Sequence, residues 1–378
     1  MKWSSKLENI SKIGIANIAG SVISVGLWFI IAGMLQTEKY GELSYLLSIG
    51  GIVATVCLIG GPQAIVIFSA KKIQIQGTIY VTSFITSIIS AVILYVFLQN
   101  LEIGIFVIGS VIYNLTIAEL LGRRTYSEYS KLFLIQKILQ FVLAIGLFFI
   151  LNQTGVILGV ALSFLVMLKY FFKTIKENGI NFTLLKEKIV FVMNIYLRDL
   201  GRALNGNIDK ILIGPMFGFS LLGNYYLGLQ VLSLLSIVPG IVSNFVIPEE
   251  AAGNSTKRIK LYTILLSFIL AILGFFVAPL VIPHVFPQYQ ESVTLIPILS
   301  LAVIPSTISS MLISSFLSQE NSKPIIIGYA ISILVLVLSI MILGTKFDVL
   351  GIAIAYVLGQ TSYAVFLICI KKYAIITK

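Results

Sequence analysis

An all-α polytopic membrane fold is what this sequence predicts: twelve transmembrane helices in two parallel six-helix repeats around a central cavity. Three observations carry that expectation. Of 378 residues, 58% are hydrophobic and only 11% are charged, with a mean hydropathy of +1.03, a composition outside that of soluble domains. Apolar runs of bilayer-crossing length recur twelve times. Lysine and arginine collect on alternate connections between those runs.

Met1 to Lys12 is short and carries Lys2, Lys6 and Lys12. No short apolar core with a small-residue cleavage site follows, so no removable signal peptide is expected. The apolar spans then lie at about 13–35, 42–69, 77–98, 102–121, 132–151, 154–172, 189–214, 220–247, 260–283, 292–317, 324–344 and 349–370, each near the roughly 20 residues that a bilayer requires. Between them, the segments on the side of the N-terminus hold twenty of the twenty-six Lys and Arg residues. The opposite loops hold two, Lys39 and Lys346, and four fall inside spans. This asymmetry predicts a plasma (inner) membrane protein with both termini in the cytoplasm. It also accounts for the net charge of +11 without a nucleic-acid partner. Membrane lipids are the expected neighbours of these basic residues, and the sequence fixes no oligomeric state.

The chain repeats internally. Glu128-Tyr129-Ser130-Lys131 returns as Glu320-Asn321-Ser322-Lys323, and Leu158-Gly159-Val160-Ala161 as Leu350-Gly351-Ile352-Ala353, both 192 residues later. Tyr40-Gly41 aligns more weakly with Leu222-Gly223, 182 residues on. An offset of six helices is even, so the halves share one orientation. The expected organisation is an N-terminal lobe 1–172, a cytoplasmic linker 173–188 and a C-terminal lobe 189–378. Ser130 and Ser322 are expected as N-caps of helices five and eleven. Helix breakers fall in corresponding places, Gly60-Gly61-Pro62 in helix two and Pro239-Gly240 in helix eight, and such pairs point to a central transport site.

Helix seven is the exception to the apolar rule. It contains Arg198, Asp199, Arg202, Asp209 and Lys210. Five charges cost up to about 15 kcal/mol on the insertion scale, whereas about fourteen apolar residues return about 6. The segment therefore belongs inside the bundle or along a wet cavity. On a continuous helix Arg198, Arg202, Asn205 and Asp209 share one face, with Asp199 and Lys210 beside it. One reading is an anion-binding wall; the other is internal neutralisation, with the two aspartates paired in place.

Other intramembrane polar residues are few. Glu119 in helix four and Lys137 in helix five are placed to pair with each other. Asn17 belongs to a stripe on helix one with Gly14, Ser21, Ser24 and Trp28, suited to packing or to lining a cavity. His284 reads as interfacial, and Cys57 and Cys369 lie in apolar runs that imply no disulfide. With one histidine, the chain has no basis for a histidine-rich metal site or a Ser–His–Asp triad. The opposite loops are too short for a catalytic domain, so no enzyme, catalytic residue, metal or cofactor is expected.

Several stretches together carry a resemblance. They are Thr37-Glu38-Lys39-Tyr40-Gly41, Asn207-Ile208-Asp209-Lys210-Ile211-Leu212-Ile213-Gly214, Val285-Phe286-Pro287-Gln288-Tyr289 and Val349-Leu350-Gly351-Ile352-Ala353. In this pattern the chain resembles the polysaccharide flippases of the multidrug/oligosaccharidyl-lipid/polysaccharide (MOP) exporter superfamily. The resemblance implies two six-helix lobes with alternating access, and export of a lipid-diphosphate-linked oligosaccharide for cell-surface glycan synthesis. It also implies coupling to H+ or Na+ in some members. Only Asp209 and Lys210 match its helix-seven positions; Arg198, Arg202 and Asn205 rest on the charge pattern. Arginine suits a diphosphate because its planar fork donates paired hydrogen bonds. The alternatives are a cation-coupled multidrug antiporter of the same superfamily and, more remotely, a membrane-embedded glycan polymerase.

Overall fold

The computed structural model describes residues 2–376 apart from Ala252 and Glu320, and leaves out the side chains of the first twelve residues, of Pro248 and Ala251, and of residues 374–376. The Glu320 arm of the repeat, Lys378 and the Lys2, Lys6 and Lys12 side chains therefore lie outside the described residues. Those described form helices joined by short connections, with no strand among them. In order these are α1 (Lys2–Met34), α2 (Thr37–Leu58), α3 (Gly61–Ala70), α4 (Gln76–Leu98), α5 (Leu101–Gly122) and α6 (Tyr126–Ser163). Then come α7 (Leu168–Asn178), α8 (Phe182–Asn205), α9 (Ile208–Phe217), α10 (Phe219–Leu235), α11 (Ile237–Ala251) and α12 (Lys257–Phe276). The remainder are α13 (Ala278–Val285), α14 (Ser292–Leu301), α15 (Val303–Ser318), α16 (Lys323–Ser339) and α17 (Thr345–Ile376).

Among the described residues, eight helices are long and apolar enough to cross a bilayer, or nine when Phe219–Leu235 and Ile237–Ile247, bent by 51°, count as one. Two of the eight, Tyr126–Asn178 and Lys323–Tyr373, run for 53 and 51 residues. At about 1.5 Å per residue each is more than twice a bilayer core. Both turn back on themselves. The turns sit at Asn152 (φ 53°) and Asp348 (φ 45°), residue types that tolerate positive φ. Gly155 then packs on the Leu147 backbone and Gly159 on Ala144, and Gly351 packs on Leu343, as antiparallel hairpins require. The remaining crossing expected from sequence, α8 with α9, is the one whose charges keep it below that apolar threshold.

These corners correct the register of the repeat. Asn152 corresponds to Asp348, and Gly155, not Gly159, to Gly351. The offset is thus 196 residues, one helical turn beyond the matched words. The N-caps lie 197 residues apart, within one residue of that offset. Ser322 stands at the N-cap of α16, but Thr125 holds that place for α6, and Ser130 is inside the helix. Short apolar words recur once per turn in such helices, so a four-residue slip preserves their pattern.

The chain packs as two compact units, Met1–Leu27 with Leu46–Ala203 and Trp28–Tyr45 with Leu204–Lys378. These are not the sequence lobes 1–172 and 189–378, because residues 28–45 pack with the second unit and α8 up to Ala203 with the first. Within the first unit α4 buries Thr78, Ser83 and Ser87 and exposes Ile85, Ile89, Val92 and Val96. Polar inside and apolar outside is the arrangement for a hydrocarbon solvent, where polar groups must find partners in the protein. Thus Ser83 Oγ donates to the Leu58 carbonyl and Thr86 Oγ1 to that of Cys57.

In the second unit the 182-residue offset appears as a reciprocal contact. A Cβ on Gly41 would strike the Phe219 carbonyl, and one on Gly223 would strike the Thr37 carbonyl. The two glycines let α2 and α10 cross at backbone contact, with Thr37 and Ser220 hydroxyls 3.1 Å apart beside them. A buried core of Ile213, Leu222, Tyr225, Leu299 and Leu336 packs below.

Candidate functional site: a polar cavity ending on Arg202

The helix break predicted at Gly60-Gly61-Pro62 builds one wall of a cavity in the first unit. α2 ends at Leu58, Ile59 and Gly60 take φ of 49° and 68°, and Pro62 sits in the first turn of α3, where its missing N–H costs nothing. A β-branched residue at positive φ is strained. The strain sits where a side chain on Gly60 would collide with Val192 and Tyr196 of α8. The break thus brings α8 against α2 and α3.

The resulting cavity has a volume of about 250 Å³. Thr55 of α2, Gln63 of α3, Ser110 and Asn114 of α5, and Asp199 and Arg202 of α8 supply its polar lining. Asn114 Nδ2 donates to the Ser110 carbonyl at 2.7 Å. Asp199 is buried; Arg198 donates to its Oδ1 at 3.1 Å, and Arg202 lies 3.8 Å from the same oxygen. The two arginine side chains differ sharply in exposure, 17% for Arg198 and 70% for Arg202. Arg198 is therefore the closer counter-ion of Asp199, and Arg202 lines the cavity with a mostly exposed side chain.

The single charged stripe expected along helix seven is not continuous. α8 ends at Asn205, and Gly206 and Asn207 interrupt the helix before α9 begins. Asp209 and Lys210 start this second helix, in the other unit, and both are buried. Asp209 accepts from the Lys210 backbone N–H (2.8 Å), Lys210 Nζ (3.1 Å) and the Tyr225 hydroxyl (2.6 Å). Lys210 Nζ also donates to the Gly206 carbonyl. This is the neutralising arrangement, and it consumes both groups. Asn205 lies at the end of α8 with a buried Oδ1 that has no hydrogen-bond partner.

Glu119 and Lys137 do not meet. Glu119 accepts from Arg123, one turn on along its own helix, and from Ser69 Oγ at 2.6 Å. Lys137 Nζ is 3.4 Å from Gln140 Oε1 and 5.7 Å from the Phe133 ring centre. The pairing fails because the nearer cation, at i+4, is already aligned with Glu119. Asn17 Oδ1 accepts from the Tyr129 hydroxyl at 2.9 Å, joining α1 to α6. Sequence reasoning missed Thr55, Gln63, Ser110 and Asn114. The i, i+4 pair Ser110 and Asn114, two polar residues on one face of a largely apolar helix, was the signal available.

No protein-family model matches the sequence, and no curated protein does. Solved structures do. An inward-facing multidrug resistance MATE family transporter of the MOP superfamily superposes with a TM-score of 0.72 at 13% identity, covering 95% of each chain. The lipid II flippase MurJ, inward closed, gives 0.77 at 12% identity, covering 95% of this chain and 87% of its own. A MOP superfamily transporter from Pyrococcus furiosus, described by a reversed polarity of its binding pocket suggesting a different function, gives 0.66 at 14% identity over 98% and 96%. The chain therefore has the MOP transporter fold.

Proposed function

We propose that this protein is a flippase that moves a lipid-diphosphate-linked oligosaccharide from the cytoplasmic to the outer leaflet by alternating access, in service of cell-surface glycan synthesis. Arg202 carries this reading. It is an exposed side chain on a polar cavity where Asp199, the one carboxylate among the described lining residues, is already paired to Arg198. A diphosphate supplies what such a fork lacks, a planar pair of anionic oxygens. The shared fold with a lipid II flippase supports it. Arg198 and Asp199 hold the site; Arg202, Asn114 and Gln63 are the proposed contacts. Asp209 and Lys210, expected among the contacts, instead neutralise each other within the second unit; Asn205, whose buried Oδ1 has no partner, stays a candidate contact. A coupling gradient of H+ or Na+ would drive the cycle, and the basic asymmetry supports an inner-membrane location with both termini in the cytoplasm.

One observation favours a multidrug antiporter instead: Asp199 lines the same cavity, and the fold is shared with a multidrug resistance transporter. Proteoliposomes separate the readings. Translocation of a lipid-linked sugar that is lost in Arg202→Gln supports the flippase. Accumulation of organic cations by the native protein, without lipid-linked sugar movement, overturns it.

A further inference from the structure

A second, larger cavity lies further along the same two helices that wall the Arg202 site. On α3 the lining passes from Gln63 to Ser69 and on α5 from Asn114 to Glu119, a rise of about 9 Å and about 7.5 Å of helix. This second cavity has a volume of about 380 Å³, within the about 300–1,000 Å³ common for small-molecule sites. Every residue that lines it is polar or charged, among them Lys72, Gln76, Glu119, Arg123, Glu177 and Asn178. Two cations face two carboxylates, so its lining is balanced. Arg123 bridges Glu119 and Glu177, the latter at 2.9 Å. A balanced cavity dense in amides, carboxylates and cations offers donors and acceptors without favouring an ion.

Its hydrogen bonding is incomplete at one buried point. Ser69 Oγ donates to Glu119, so it must accept from Gln76 Nε2, which lies 2.8 Å away. That fixes the Gln76 amide, and its carbonyl oxygen is left without a partner although the residue is only 3% exposed. A buried acceptor with no donor costs stability unless something supplies one.

We infer that this cavity is the glycan subsite of the transporter: it takes the neutral, hydroxyl-rich sugar of the same molecule whose diphosphate rests on Arg202, with a sugar hydroxyl donating to Gln76. The inference rests on the proposed flippase reading. A sugar is bonded directly to the diphosphate in such lipids, so a cavity one to two turns away is within its reach. The balanced charge suits polyols better than phosphate, and the arginine cavity has the opposite preference.

The test uses the full chain in phosphatidylcholine nanodiscs, with Cys57 and Cys369 replaced by alanine. Single cysteines are placed at Ser110, in the Arg202 cavity, and at Asn178, in the second cavity. Protection from an impermeant maleimide is measured with farnesyl diphosphate and with farnesyl diphosphate carrying N-acetylglucosamine, glucose or galactose. The bare diphosphate is expected to protect Ser110→Cys only, and at least one sugar-bearing form to protect both. Gln76→Leu should weaken that sugar-bearing form about five- to tenfold and leave the bare diphosphate unchanged. Protection of Ser110→Cys by every form, with none protecting Asn178→Cys, overturns the glycan subsite and leaves the flippase reading standing. No protection of either cysteine by any form removes the flippase reading itself.

Discussion

The two halves of helix seven began as one sequence signal and have opposite physical fates. Before the Gly206-Asn207 break, Arg202 is 70% exposed and shares its only carboxylate with a better-placed arginine. After it, Asp209 and Lys210 are 1% and 8% exposed and satisfy each other. The difference teaches that intramembrane charge alone does not mark a ligand site. What marks it is the charge left over after local pairing. The first half has two cations for one carboxylate; the second has one for one, plus a tyrosine hydroxyl.

The largest effect should come from breaking the balanced half. Asp209→Leu strands the Lys210 ammonium and the Tyr225 hydroxyl in a buried place, at a cost of about 3–5 kcal/mol. The expected outcome is loss of the monodisperse folded protein on gel filtration and a collapsed thermal transition. The double change Asp209→Leu with Lys210→Leu should recover much of that stability, since well-packed apolar replacements of a buried pair are often neutral. A double variant as unstable as the single one would show that the pair is not self-contained.

The unbalanced half should behave in reverse. Arg202→Gln is expected to leave the thermal transition within about 0.5 kcal/mol of native, as exposed substitutions do. Lipid-linked sugar translocation should fall by about tenfold or more, the worth of one charged bidentate contact. Arg202→Lys should recover part of it, because lysine keeps the charge and loses the fork. Arg198→Gln sits between these extremes. It removes the counter-ion of buried Asp199, so both stability and transport should drop, and Asp199→Asn in the same chain should restore stability before transport. Equal loss of transport with unchanged stability in both arginine variants would erase the distinction between them.

The sequence carried the fold class well, because the length, spacing and flanking charge of apolar runs are set by the bilayer rather than by the protein. It carried the site less well. The excess of cation over carboxylate in α8 was legible, but which arginine was free depended on a packing distance of 3.1 against 3.8 Å. The break at Gly206-Asn207 was hidden by an apolar pattern that continues on either side. The cavity wall from α5 left only Ser110 and Asn114 as a trace, and the partner of Glu119 was a cation on its own helix.

A smaller contrast repeats the lesson between units. In the first, a serine of α3 donates to a glutamate of α5, Ser69 to Glu119 at 2.6 Å. In the second, the carboxylate is on the half-helix, Glu250 of α11, and the serine, Ser315, is on α15; Lys260 binds both, at 2.6 Å to Glu250 and 2.5 Å to Ser315. The same two segments are tied together with the acid on opposite partners. Burial pushes the Glu250 carboxyl up, but hydrogen bonds from Lys260 and Thr256 more than offset this and hold it below the usual carboxylate range. A carboxyl lowered in the folded state stabilises the fold above its unfolded pKa, and that contribution disappears as pH falls through the folded value. Glu250→Gln should therefore lower stability at pH 7 by about 1 kcal/mol, and the gap between variant and native melting temperatures should close as pH drops below 4. A gap of the same size at pH 7 and at pH 3 would mean that the lost contact is one of shape, and that Lys260 is held by Ser315 and the Met311 carbonyl without help from the acid.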